Sequence, residues 1–98
     1  MALINKTRLA LRVRTEEFDP DIADLIEAAK LDLNIAGVVL PKDLDPLCER
    51  AIITYVKLHF GDLEEKQAAR LQASYDAQKG QLAIATGYTD WGGANNAG

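Results

Sequence analysis

The sequence predicts an all-α protein, a small bundle of about four helices over residues 3–13, 20–36, 46–60 and 63–85, with an extended C-terminal tail. Three observations lead there. Apolar residues recur at spacings of three and four rather than two. The dipeptide Asp-Pro occurs twice, at Asp19-Pro20 and Asp45-Pro46, each reading as a cap followed by a proline at the first helical position. Gly37 and Gly61 stand where a left-handed residue ends a helix.

In the first helix Leu3, Ile4, Ala10 and Leu11 share one side, while Leu9 and Val13 fall opposite and require a second partner. Thr15 to Pro20 breaks the pattern, because the residue before a proline is pushed out of helical geometry. In the second helix Asp19 is the expected cap, and Asp21 and Asp24 add negative charge near the positive end of the dipole. Ile22, Leu25, Ile26, Ala29, Leu33 and Ala36 keep the spacing of a core face, yet Leu31 and Ile35 lie almost opposite. Two apolar faces are more than one small core uses. The link Val38 to Leu44 carries apolar residues expected to plug that core.

The third helix, Pro46 to Phe60, is the expected centre. Leu47, Cys48, Ala51, Ile52, Tyr55, Val56, Leu58 and Phe60 cover a wide arc, leaving a narrow remainder to Arg50, Thr54 and Lys57. After Gly61, Asp62 reads as the cap of a fourth helix whose seam is Ala68, Leu71, Tyr75, Gln78 and Leu82, with Lys66, Arg70, Asp76 and Lys79 in solvent. Gly80 weakens that helix by about 1 kcal/mol relative to alanine, so a bend or break is expected near Gln81. The expected core residues are Leu25, Ile26, Cys48, Ile52, Tyr55, Val56, Phe60, Leu71 and Tyr75. Residues 1–86 then form one helical domain, and 87–98 a flexible Gly/Asn-rich tail ordered by a partner, with Tyr88 and Trp91 as its anchors.

With 98 residues the chain is one domain that buries roughly 60–65% of its unfolded surface, so association would add stability. No apolar run approaches the roughly 20 residues of a membrane helix, and the N-terminus lacks a signal-peptide pattern, which makes a reducing cytoplasm the expected compartment. The single cysteine, Cys48, reads as a buried small hydrophobe. The net charge is −4, but Lys6, Arg8, Arg12 and Arg14 precede every acidic residue, so the first fourteen positions carry +4 against −8 in the rest.

Chemistry is poorly supplied. His59 is the only histidine and Ser74 the only serine, so neither a catalytic triad nor a histidine metal cluster can be built from them. His59 is expected to bond carbonyls at the end of its helix. Asp19, Asp21 and Asp24 lack the glycine and terminal glutamate of a calcium loop. No glycine-rich phosphate loop is present. The expectation is a protein without catalytic residues, metal or cofactor. The link between the second and third helices is too long for a helix-turn-helix. A DNA-binding regulator therefore rests on Lys6, Arg8, Arg12 and Arg14 alone, and remains the alternative reading.

Taken in order, Lys6-x-Arg8-Leu-Ala-Leu-Arg12, Phe18-Asp, Ile22-x-x-Leu-Ile-x-Ala-Ala-Lys-x-Asp-Leu33, Ala36-Gly-Val, Asp45-Pro-Leu, Arg50-Ala-Ile-x-x-Tyr-Val-Lys-x-x-Phe-Gly61 and Ser74-Tyr-Asp resemble the small head-tail connector (adaptor) proteins of tailed bacteriophages and prophages. The resemblance runs from about residue 4 to 88. It implies a structural virion protein, assembled in the host cytoplasm and located at the head-tail interface. Such proteins form a homo-oligomeric ring, commonly of twelve copies, beneath the portal protein, receive a stopper or tail-completion protein and let DNA pass without specific binding. In that setting Lys6, Arg8, Leu9, Arg12, Val13, Arg14, Leu31 and Ile35 become candidate subunit contacts. Tyr88 and Trp91 become candidates for docking on the portal or another partner.

Overall fold

A computed structural model describes residues 2–85 and shows four helices: α1 (Leu3–Leu11), α2 (Asp19–Ile35), α3 (Pro46–His59) and α4 (Glu65–Ile84). The tail with Tyr88 and Trp91 lies outside the described residues. α3 is the central element, packing against α1, α2 and α4. Its start follows the expected rule: the Asp45 carboxylate accepts a hydrogen bond from the Cys48 amide at 3.0 Å, and Pro46 opens the first turn.

The other boundaries differ from the sequence pattern for identifiable reasons. α1 stops at Leu11, two residues early, because Arg12 takes a left-handed conformation at φ 61°. The amides of Arg12 and Val13 then bond back to the carbonyls of Leu9 and Arg8. Asp19 does not cap α2: it is the first helical residue, Phe18 precedes it without a side-chain cap, and its carboxylate meets Arg8 instead. α4 begins at Glu65 rather than residue 63, with no side-chain cap from Asp62. Gly80 does not interrupt α4, which runs on to Ile84. Its cost stays local because Leu82, one turn-half further, is buried and holds the last turn down.

α2 ends on a left-handed glycine, Gly37, at φ 96°. The Gly37 amide donates to the Asn34 carbonyl and the Val38 amide to the Leu33 carbonyl, at 3.0 and 2.9 Å. Val38 and Leu33 are both buried, which completes the apolar contact typical of this helix end.

The core is built from Ile22, Ile26, Ala29 and Leu33 of α2, Cys48, Ala51, Ile52 and Val56 of α3, Tyr75 and Leu82 of α4, and Val38 of the link. Leu25, Tyr55 and Phe60 are partly buried against it, as are Leu40 and Leu44 of the link. Leu71 is half-buried, whereas Ala36 and Leu47 face solvent. α1 contributes Leu3, Ile4, Leu11 and the fully buried Thr7, whose hydroxyl donates to the Leu3 carbonyl at 2.8 Å. That bond satisfies the one buried polar side chain of the described core, so Thr7 is buried without a desolvation penalty left open.

Candidate functional site

The basic N-terminal segment divides into two pairs. Lys6 contacts Glu49 of α3 at 2.8 Å, and Arg8 contacts Asp19 of α2 at 2.8 Å while also donating to Asn5. Lys6 and Arg8 are therefore occupied inside the chain, where they pin α1 across α2 and α3. Within one subunit these two candidate contacts thus already have carboxylate partners. Arg12 and Arg14 are exposed, and among the described residues neither has an ion pair. The left-handed turn at Arg12 directs the chain off the helix axis and carries both cations beyond the end of α1.

Each helix leaves at least one large apolar side chain in solvent, Leu47 on α3 among them. On α2, Leu31 is 60% and Ile35 77% exposed. They lie opposite the buried line of Ile22, Ile26, Ala29 and Leu33, as 3.6 residues per turn demands. Asp24 and Glu27 precede them on the same outer strip, Glu27 paired with Lys30 at 3.1 Å. On α1, Leu9 is 65% exposed and lies opposite the buried Thr7; Val13, just past the helix, is half-buried. Ile84, near the end of α4, is also exposed.

A polar cluster joins α2 to α4. The Tyr75 hydroxyl donates to the Asp32 carboxylate at 2.5 Å, and Lys79 donates to the same oxygen at 3.2 Å while lying 5.0 Å from the centre of the Tyr75 ring. The Tyr75 hydrogen bond, helped by Lys79, holds the Asp32 carboxyl below its ordinary range. Burial, and then the Asp32 charge, raise Tyr75, so it stays a donor. Lys79, read from the sequence as solvated, is thus half-buried in a structural contact. Tyr75 also meets Tyr55 edge-on at 5.3 Å, and His59 rests against Tyr55 at 4.3 Å. His59, the last residue of α3, thus packs against an aromatic neighbour. Cys48 is fully buried, and burial with the nearby Asp45 pushes its thiol up to about 11, which makes it inert.

No group of three or more His, Cys, Asp or Glu side chains among the described residues is placed to hold a metal ion. No described helix is long and apolar enough to cross a membrane. Sequence reasoning missed Thr7, Asp32 and the edge-on contact of Phe18 with Phe60 at 5.8 Å. Of these only Asp32 carried a signal, since residues 75 and 79 form a one-turn pair able to address a single carboxylate.

The arrangement defines a small helical protein whose polar groups are spent on holding helices together and whose uncommitted features are surface strips suited to contact. The family model of phage connector proteins matches residues 3–89, and the chain belongs to this family. No curated protein and no solved structure matches it. Membership makes the protein a structural component of the phage virion.

Proposed function

We propose that this connector is a ring-forming adaptor that docks beneath the portal, receives a stopper or tail-completion protein, and leaves a passage for DNA. The observation that supports the ring most directly is the second apolar face of α2. Leu31 and Ile35 stand in solvent in a chain too short to be generous with burial. Neighbouring copies would cover them. A ring repeats one heterologous contact around an axis, joining two different patches of the same chain. With Lys6 and Arg8 already paired, the patches available are Leu9, Arg12, Val13 and Arg14 on one side and Leu31 and Ile35 on the other. The net charge of −4 suits a channel through which DNA slides, because phosphates are gripped where cations release their counterions.

The mechanism is templated assembly rather than catalysis. Residues 87–98, with Tyr88 and Trp91, dock on the portal, and the docked ring presents the surface for the next component. Two measurements test this. The mass of the full chain in solution, with and without portal, is expected to show a closed oligomer of about a dozen copies at least in the presence of portal. Deletion of residues 87–98 is expected to weaken portal binding, and undiminished binding would refute the role of the tail.

A further inference from the structure

We infer that the outer strip of α1 in one copy lies antiparallel on the outer strip of α2 in the next, Leu9 against Leu31 and Ile35, with Arg12 and Arg14 against Asp24 and Asp21. The inference rests on the ring reading for its repetition around an axis and supplies the partner and register of the subunit contact. Its basis is the order of chemistry along the two strips. Along α2 the outer residues run acidic then apolar, from Asp21, Asp24 and Glu27, the last already paired with Lys30, to Leu31 and Ile35, all five exposed. Along α1 they run apolar then basic, from Leu9 to Arg12 and Arg14, also exposed. Only opposite chain directions bring apolar to apolar and cation to carboxylate.

The dimensions agree with that register. Seven residues separate Asp24 from Leu31, about 10 Å of helix. Arg12 and Arg14 lie three and five residues beyond Leu9, and a long arginine side chain supplies the remaining reach. A parallel arrangement would carry the two arginines past Ile35 to the end of α2. There they would lie about ten residues, roughly 15 Å of helix, from Asp24 and leave its charge and that of Asp21 unanswered. A symmetric pairing of α2 with α2 would cover Leu31 and Ile35 but leave Leu9 and both arginines unanswered. In its parallel form it would also set Asp24 against Asp24.

Cysteine cross-linking of the full chain tests this contact, because buried Cys48 is silent to surface reagents. Leu9→Cys and Leu31→Cys are exposed replacements that leave the core intact, and thermal unfolding of each variant verifies this. Mixed in equal amounts and treated with a short bis-maleimide, the two are expected to give the mixed adduct several-fold in excess of either self-adduct. Asp24→Arg in the Leu31→Cys copy is expected to reduce that adduct several-fold, and Arg12→Asp in the Leu9→Cys copy to restore it. A Leu31→Cys self-adduct equal to or above the mixed one overturns the inference in favour of a symmetric contact. So does the absence of a mixed adduct, or a mixed adduct indifferent to Asp24→Arg. The ring reading is judged separately by the solution mass: rings without the adduct leave that reading standing and remove this register alone.

Discussion

Replacing Tyr75 by phenylalanine isolates the contact that ties α4 to α2. The ring, its packing and its edge-on contact with Tyr55 remain, and only the hydroxyl that donates to Asp32 at 2.5 Å is lost. A hydrogen bond to an ionised acceptor contributes about 1.5–3 kcal/mol. The Asp32 side chain is 36% exposed and keeps Lys79 at 3.2 Å, so water and the lysine recover part of that amount. The expected loss is about 1 kcal/mol, which for a chain of this size lowers Tm by roughly 4–8 °C. The pH dependence discriminates the cause. The folded-state value of Asp32 lies below its ordinary 3.8, so the unfolded chain takes up protons first as pH falls. The contribution is therefore fully present above the ordinary carboxylate value and disappears as pH falls through the folded one. Urea unfolding at pH 7 and again near the acid limit of the folded state should show the cost of Tyr75→Phe shrinking in acid. An equal cost at both pH values would refute pairing with an ionised Asp32 as its source, and no cost at pH 7 would refute the contact itself.

Three further outcomes are expected. Gly80→Ala should raise stability by about 1 kcal/mol and Gly37→Ala lower it by about the same. Nothing lies within 4 Å of an added Cβ at either site, and only Gly37 has a positive φ, so opposite shifts in urea midpoint test the backbone argument alone. Asp45→Ala should cost about 1 kcal/mol by removing the cap on the Cys48 amide, read as a lower thermal midpoint. Leu31→Asp combined with Ile35→Asp should abolish assembly in a solution mass measurement while helical circular dichroism and Tm stay near the parent values; global unfolding would place these residues in the core.

Four helices with punctuation at Asp45, Gly37 and Gly61 were legible because those signals are local. Proline presets φ, a short acidic side chain reaches an amide three residues on, and glycine alone enters the left-handed region cheaply. The core side of α2 was legible from its period, and so was the anomaly of Leu31 and Ile35. What local reasoning could not supply was the choice among long-range partners. Asp19 had two possible uses, capping its own helix or meeting a cation, and the approach of Arg8 decided for the second. Lys79 looked solvated until α2 brought Asp32 to it. Arg12 ended its helix against ordinary propensity, because a non-glycine residue at φ 61° is held by tertiary structure rather than by preference.

The distribution of ion pairs sharpens what the two-ended charge means. A segment carrying +4 ahead of an acidic body could be read as wholly interfacial or wholly internal, but its members are not equivalent. Lys6 and Arg8 lie within helical α1 and face carboxylates on α3 and α2, so their role is to fix the position of α1. Arg12 forms the left-handed turn and Arg14 follows it, both exposed and without an ion pair among the described residues. The same turn that shortens α1 therefore separates cations used for folding from cations left over for association. Such a division makes the two roles independently mutable. Losing Lys6 or Arg8 loosens α1 and should lower stability, whereas losing Arg12 or Arg14 removes exposed charge from a chain that already folds without pairing it.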